Sequence, residues 1–330
     1  MLLSRAFVSS VLAIASWCAF DVLATDAVGS DAGVAETCRR HGLDPAAPVE
    51  LRVAKTPESV IAVLREAGVK RAKNHLLSPE ERAQLKFAIE SLTPLHRRIL
   101  KERLRSLNFV DGMTGGGTAL TSTVNPHEPV RLCDIAINAA IFRQNVSEWL
   151  SAKERRCFET AGSPLRINIE AGTRLGALVY VLLHEATHVV DSALGITPHF
   201  GGVGQSLTTT GRPATAFTDG VWNGLTLPVA RYRDPLREQL WFYSGTRPIP
   251  VDQAPAMYES LRRTPFVSLY AGRNWLDDLA EFVTVYHLTE VLKQPYRIVV
   301  RRGNQEIFAY EPRKSELVRG RIGQLKQFYN

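Results

Sequence analysis

The chain has 330 residues, of which 45% are hydrophobic and 22% are charged, a composition typical of globular proteins. This length suits one large domain or a main domain with a small appendage. The formal net charge is +7, but aromatic residues are not interleaved with the basic ones, as a base-stacking surface would require. The sequence therefore predicts no nucleic-acid partner and leaves attraction to an anionic cell envelope open.

Residues 1–24 have the pattern of a secretory signal peptide. Arg5 is followed by a nearly uncharged stretch, and Val22 and Ala24 occupy the −3 and −1 positions of a cleavage site. An N-terminal membrane anchor is the alternative, but the apolar stretch is short for a span. We therefore expect a mature single domain, residues 25–330, that is exported to the periplasm or secreted and has no transmembrane segment.

Three cysteines remain in that mature chain: Cys38, Cys133 and Cys157. An exported protein can form disulfides, so one bridge and one free thiol are expected. Cys133 with Cys157 is a candidate pair, because the elements that carry them are close in sequence. No Cys-x-x-Cys pattern is present, so cysteine zinc ligands are not predicted.

In the N-terminal part, residues 25–106, a capping residue followed by proline marks the start of three helices. These helices are predicted over about 57–67, 79–91 and 94–106. The third has an apolar face formed by Leu95, Ile99, Leu100, Leu104 and Leu107.

The middle part, residues 107–195, alternates strands and helices. A glycine-rich turn is expected at 115–117. Strands are predicted in the segments GTALTSTV, RLCDIAINAAIF and LRINIEAG. The segment VSEWLSAKERRCFETAG is predicted to be a helix ended by Gly162. A long helix follows from about Thr173 to Leu194, with Gly195 as its stop signal.

The C-terminal part, residues 196–330, is predicted to be mostly helical. Residues 196–250 are rich in Gly, Thr, Pro and aromatics and are expected to be irregular. Helices are predicted at about 252–263 and 275–292, followed by a hairpin that turns at Gly303-Asn304 and a closing helix. Strands before a buried helix and helices after it predict an α+β domain, with a small mixed sheet packed on the central helix.

That central helix contains VLLHEATHVVD, in which His184 and His188 are four residues apart. On a helix their imidazoles point the same way, one turn apart, and can bind one Zn²⁺. Glu185 points about 100° around the helix, where its carboxylate can take a proton from water and deliver it to a leaving amine. Two buried histidines bonded to backbone carbonyls are the alternative. The apolar surroundings favour the metal, because burying such a pair without a partner is costly.

Two histidines do not complete a zinc site, so a further protein ligand is needed. Asp277 and Glu281 lie on one predicted helix at a spacing of i and i+4, which places them on one face. Asp278 is interpreted as a first-turn acid that favours the helix N-terminus. The sequence therefore predicts that Asp277 and Glu281 both belong to the metal site. The shorter side chain of Asp277 favours Glu281 as the direct ligand, so the residues alone leave that choice open.

The combination of HEATH with the later helix that carries Asp277 and Glu281 resembles the gluzincin metallopeptidases, the group of thermolysin and neprilysin. The resemblance covers these two helices only. It implies a zincin-like fold in which the first acid, Asp277, binds zinc and the second, Glu281, braces a histidine ligand. Aspartate at this place is a departure, since glutamate is usual there. Tyr270, seven residues before Asp277, looks like the tyrosine that some relatives use to stabilise the oxyanion.

Three other residues near these helices have simpler interpretations. Asp191 is either a carboxylate that orients His188 or a solvent-facing acid at the helix end. Tyr180 and His287 are interpreted as packing residues.

The sequence thus predicts a zinc metallopeptidase that acts on protein or peptide substrates. An edge strand within 117–135 is expected to bind extended peptide by backbone pairing. One alternative is a non-catalytic envelope or interaction protein with a structural metal site, and another is a metal-dependent hydrolase of a non-peptide amide. The presence of Glu185 argues against the first alternative, because a structural site has no need of that residue.

Overall fold

The structure of the chain is a computed structural model. The residues it describes are 30–66, 69–113, 117–126, 128–160, 162–199, 213–240, 242 and 248–330. The signal peptide predicted for residues 1–24 lies outside this part of the chain, as do Gly115 and Gly116 of the predicted turn.

Helices and short strands alternate along the described chain. The helices are α1 (Asp31–Arg40), α2 (Glu58–Glu66), α3 (Pro79–Glu90), α4 (Pro94–Arg103), α5 (Val146–Arg155), α6 (Ala177–Leu194), α7 (Pro235–Glu238), α8 (Ala254–Arg262), α9 (Trp275–Tyr286) and α10 (Glu316–Arg319). The strands are β1 (Lys73–Asn74), β2 (Leu104–Asp111), β3 (Ala119–Thr123), β4 (Cys133–Asn138), β5 (Phe158–Glu159), β6 (Leu165–Glu170), β7 (Trp222–Gly224), β8 (Leu227–Pro228), β9 (Ile249–Pro250), β10 (Arg297–Arg302) and β11 (Gln305–Tyr310). The predicted α+β class, with small sheets, is confirmed.

Two small sheets contain most of the longer strands. The first is mixed, in the order β1-β2-β4-β3, with β2 and β4 parallel and the two outer strands antiparallel to their neighbours. The second is antiparallel, in the order β11-β10-β6. The predicted small mixed sheet is thus present and contacts α6, but it does not include every predicted strand. Strand β6 pairs with the C-terminal hairpin β10–β11, which lies far from it in sequence, instead of with the strands that precede it.

The predicted third helix ends earlier than its apolar pattern. Helix α4 stops at Arg103, and the next eight residues form β2. Leu104 and Leu107 are completely buried, as expected for an apolar face, but they reach the core from a strand. Strand β2 pairs with β1 on one side and β4 on the other, and this non-local pairing outweighs the local helical periodicity.

The helix predicted to end at Gly162 also ends early, at Arg155. After two intervening residues the chain forms β5, which pairs in parallel with β9. This short pairing joins the end of α5 to the segment before α8, a contact that the local sequence does not indicate.

The cysteine pair proposed from the sequence does not form. Cys38, Cys133 and Cys157 are all free and buried. Cys133 begins β4 in the first sheet, whereas Cys157 directly precedes β5, which pairs with β9. Burial raises the pKa of Cys133 to about 12, which makes the thiol unreactive.

Helix α6 is the central element of the fold. It contacts α3, α4, α5 and α9, as well as strand β3, and nearly all of its side chains are buried. It ends as predicted at Gly195, whose φ of 61° lies in the left-handed region that glycine adopts without strain. Because α6 is enclosed on several sides, its histidines lie inside the protein.

Helix α9 packs against α6 and brings the acidic residues to the histidines. Its regular part ends at Tyr286, and a π-helical turn over His287–Val291 completes the segment that was predicted as one helix. No helix in the described part of the chain is both long enough and apolar enough to cross a membrane.

Candidate metal centre

Helices α6 and α9 bring two histidines and an aspartate together in the protein interior. The Nε2 atoms of His184 and His188, one turn apart on α6, are separated by 3.2 Å. Oδ1 of Asp277, in the first turn of α9, lies 3.5 Å from His184 Nε2 and 3.7 Å from His188 Nε2. These three buried residues, called the His–His–Asp centre below, could hold one metal ion.

The spacing of these atoms fits zinc. Zinc bonds of about 2.0–2.1 Å in a tetrahedral site place neighbouring ligand atoms about 3.3 Å apart, close to the three separations above. Asp277 Oδ1 is also buried without a hydrogen-bond partner among the described residues. A buried carboxylate oxygen is costly to leave unpaired. The donor set, with a carboxylate oxygen that accepts no hydrogen bond and faces two imidazoles, therefore suits a divalent cation.

Glu281 contacts the opposite edge of the His184 ring. Its Oε1 lies 3.1 Å from His184 Nδ1. Its Oε2 accepts hydrogen bonds from the hydroxyls of Tyr180, at 3.0 Å, and Ser268, at 2.7 Å. Because Nδ1 faces Glu281, Nε2 is left to face the centre. Glu281 is thus placed to orient His184, while Asp277 presents an oxygen to both Nε2 atoms.

In the metal-free protein the two histidines differ in charge. Burial disfavours the charged form of His184, but Asp277 and Glu281 outweigh it and raise the pKa of His184 to about 9. Burial and the neighbouring charge of His184 lower the pKa of His188 to about 3. Burial also opposes ionisation of Glu281, but Lys153 and His184 lower its pKa to about 2. His188 is therefore neutral and Glu281 ionised, as metal ligation and bracing require.

Glu185 is buried beside the centre, where strand β3 holds its carboxylate. Thr121 on β3 donates a hydrogen bond of 2.6 Å to Glu185 Oε2. Burial raises the pKa of Glu185, although His184 and Thr121 oppose the shift. A carboxylate with a raised pKa is suited to take up and return a proton. Glu185 is not one of the three residues that face one another across the centre, so it remains available for that task.

Lys153 and Tyr270 lie on one side of the centre. Lys153 extends from α5, and its Nζ is 3.7 Å from the middle of the Tyr270 ring and 3.5 Å from Glu281 Oε1. The Tyr270 and His184 ring centres are 5.9 Å apart. The structure therefore brings Tyr270 beside the histidine pair and adds an ammonium group that the sequence did not indicate.

Asp278 has a different role from the one the sequence suggested. It lies in the first turn of α9, but it is completely buried. Arg321 donates to both of its oxygens, at 3.1 and 2.7 Å, and Trp222 Nε1 donates to Oδ2 at 2.9 Å. The guanidinium of Arg321 also lies over the rings of Phe217 and Phe282. Asp278 therefore joins the C-terminal segment to α9 through a buried ion pair.

Neither interpretation of Asp191 fits the structure. Its side chain is buried, and its two oxygens accept hydrogen bonds from the N–H and hydroxyl of Thr197, at 2.7 and 2.6 Å, rather than from His188. It therefore secures the turn that follows α6. Tyr180 is buried, as expected of a packing residue, but its hydroxyl also bonds Glu281.

The sequence analysis missed four residues that act on the centre or on Glu185: Thr121, Lys153, Ser268 and Asn274. Three of them come from elements whose contact with α6 or α9 cannot be read from spacing. Asn274 is different, because it stands three residues before Asp277, where a helix-capping residue is expected. That signal was present in the sequence.

Comparison with family models, with curated proteins and with solved structures gives no match for this chain.

Proposed function

We propose that this chain is an exported zinc metallopeptidase of zincin-like fold that acts on protein or peptide substrates. The observation that carries the proposal is Glu185, a buried carboxylate held beside the His–His–Asp centre without being one of its three metal-facing residues. A metal site that only stabilises a fold has no need of such a group. The leader pattern of residues 1–24 supports export.

The His–His–Asp centre suits a catalytic zinc ion. Two imidazole nitrogens and one carboxylate oxygen leave the fourth position of a tetrahedral site open for water or substrate. Asp277 Oδ1, which accepts no hydrogen bond among the described residues and faces both Nε2 atoms, supports the same assignment. When bound, zinc would supply the activation of water and the polarisation of the substrate carbonyl.

Glu185 would move the proton in this reaction. Its carboxylate takes a proton from the attacking water as the new carbon–oxygen bond forms. It then gives that proton to the amine nitrogen as the carbon–nitrogen bond breaks, which returns Glu185 to its ionised form. Thr121 holds Oε2, so Oε1 is left to meet the water. Tyr270, with its ring beside His184, is proposed to stabilise the oxyanion.

Strand β3 offers a place for an extended peptide. It lies at the end of its sheet and, among the described strands, pairs only with β4. A peptide could add to this edge through main-chain hydrogen bonds. Thr121 connects the edge to the chemistry, because it belongs to β3 and its hydroxyl bonds Glu185. A peptide paired with β3 would therefore pass close to the proposed base.

Replacement of Glu185 tests this function. Glu185→Gln keeps the size of the side chain and an oxygen for Thr121, but it cannot accept a proton at neutral pH. We expect the variant to fold and to bind zinc like the wild type, while kcat for an unstructured protein such as casein falls by about 10²–10⁴-fold. Glu154→Gln makes the same change at another buried glutamate and should retain turnover.

The outcomes separate the proposal from its alternatives. Casein hydrolysis by Glu185→Gln at the wild-type rate would remove Glu185 as the base. Zinc binding without cleavage of casein or a peptide library would favour a structural metal site. Loss of zinc in Glu185→Gln would mean that Glu185 is itself a ligand.

A further inference from the structure

Asn274 directly precedes α9, and both the oxygen and the nitrogen of its carboxamide form hydrogen bonds with Asp277. Its Oδ1 accepts a hydrogen bond from the main-chain N–H of Asp277 at 2.8 Å, which caps the helix. Its Nδ2 donates to Asp277 Oδ2 at 2.6 Å. The two contacts fix the orientation of the carboxamide, because the N–H needs an acceptor and the carboxylate needs a donor.

The second of these hydrogen bonds is not needed for capping. A cap requires only an oxygen, which Ser78 and Thr93 supply to α3 and α4 from their hydroxyls. Asn145 is a matched case at the start of α5, where its Oδ1 accepts from the N–H of Glu148 at 2.9 Å. There the carboxylate of Glu148 turns back to the main-chain N–H of Asn145. The bond from Asn274 to the Asp277 carboxylate therefore serves something besides the helix start.

The hydrogen bond from Asn274 Nδ2 fixes the direction in which the Asp277 carboxylate points. With Oδ2 tied to Asn274, Oδ1 faces the Nε2 atoms of His184 and His188. The terminal torsion of an aspartate has a broad energy minimum, so the carboxylate would lose this fixed direction without the amide. Aspartate is also one methylene shorter than glutamate, so its reach depends on where the helix begins.

We propose that Asn274 is a positioning residue for a divalent metal ion in the His–His–Asp centre and acts through Asp277. This inference rests on the proposed zinc centre. The position of Asp277 Oδ1 depends on where α9 starts and on how the carboxylate is rotated. The side chain of Asn274 fixes both. This arrangement accounts for the use of an aspartate as ligand from the first turn of a helix.

The test removes the carboxamide at two matched helix starts. Glycine is itself an accepted capping residue, so Asn274→Gly and Asn145→Gly should both fold, with similar melting temperatures in the metal-free state. Zinc affinity is then measured by competition with a chelator. We expect Asn274→Gly to weaken zinc binding by about 10–100-fold and Asn145→Gly to leave it unchanged.

A double-mutant cycle shows whether Asn274 acts through Asp277. Asn274→Gly introduced into Asp277→Ala should weaken zinc binding no further, because the group it positions is gone. Equal weakening in both backgrounds, or none in the wild type, would overturn the positioning role. If the wild type binds no zinc, or Asp277→Ala binds it as tightly, the centre itself is wrong and the role of Asn274 fails with it.

Discussion

Asp277 and Asp278 are neighbours in the first turn of α9, and both are buried, but their surroundings differ. Both oxygens of Asp278 accept hydrogen bonds, from Arg321 and Trp222. Asp277 has one oxygen bonded to Asn274 and one that accepts no hydrogen bond. A buried charge that serves only the fold is paired completely, because an unpaired one is costly. The Asp277 oxygen that accepts no hydrogen bond instead faces both histidines, in a group of residues that could hold a metal ion.

The buried histidines show the same contrast. The ring nitrogens of His96 lie 2.9 Å from the Thr93 hydroxyl and 3.0 Å from the Thr187 hydroxyl, so both have partners. Burial lowers the pKa of His96 to about 3, and the neutral ring links α4 to α6. His188 lies next to Thr187 in sequence, but its Nε2 faces another imidazole and a carboxylate. Only the second environment has the composition of a metal site.

The largest expected effect is a loss of zinc affinity when the carboxylate of Asp277 is removed. Asp277→Ala should weaken binding by on the order of 10³-fold, because it deletes one of three protein ligands that share a binding free energy on the order of 10 kcal/mol. Glu281→Ala removes the carboxylate that contacts His184 Nδ1, but it deletes none of the three metal-facing atoms and should cost about 10–100-fold. Chelator competition measures both. A larger loss in Glu281→Ala would exchange the two assignments, and no loss in either would move the ligand off α9.

Removal of the Asp278 carboxylate, which is paired with Arg321, should instead lower the stability of the fold. Asp278→Ala leaves Arg321 buried without its partner and should lower the free energy of unfolding by about 3–5 kcal/mol. Urea titration of the metal-free protein measures this loss, and the folded fraction should still bind zinc. Asp277→Ala should cost clearly less in the same titration. Equal losses of unfolding free energy in Asp277→Ala and Asp278→Ala would mean that the ion pair with Arg321 does not distinguish the two residues energetically.

A third buried carboxyl, Glu154, sharpens the comparison because it accepts its hydrogen bond from a neutral hydroxyl. Tyr258 donates to Glu154 Oε2 at 2.8 Å, and burial raises the pKa of Glu154 from 4.5 to about 7. Between these pH values the unfolded chain is ionised at this residue while the folded chain stays neutral. The contribution of Glu154 to wild-type stability should therefore fall by about 3 kcal/mol as the pH rises through this window.

Glu154→Gln removes that dependence on pH. Relative to the wild type, its free energy of unfolding should increase steadily from pH 4.5 to pH 7 and level off above. Urea titrations at a series of pH values measure the difference. A difference that stays constant across the window would show that Glu154 is ionised in the folded protein.

The elements that depend on local pattern were predicted well. The apolar run around HEATH and Gly195 located α6 and its end, and the hairpin turn at Gly303-Asn304 is present between β10 and β11. The spacing of Asp277 and Glu281 on one helix also placed both acids near the histidines. Each of these features depends on residues within a few turns of one another, where helix and hairpin geometry fix the relation.

The parts of the fold and of the site that were not predicted depend on contacts between segments distant in sequence. Thr121 and Glu185 are 64 residues apart, and β6 pairs with β10 more than a hundred residues later. Lys153 had no marker to distinguish it from the other charged residues of α5. Asp278 and Asp277 are adjacent, so spacing could not show that one would meet Arg321 and the other the histidines. Such partners follow from how the elements pack, which short-range patterns do not encode.

Metal analysis of the purified protein tests the central claim most directly. Wild-type protein prepared without chelators should contain about one zinc per chain, and His188→Ala prepared in the same way should contain none while keeping its helical circular dichroism. A wild type that is folded and free of metal would contradict the claim, and so would zinc retained at full occupancy by His188→Ala.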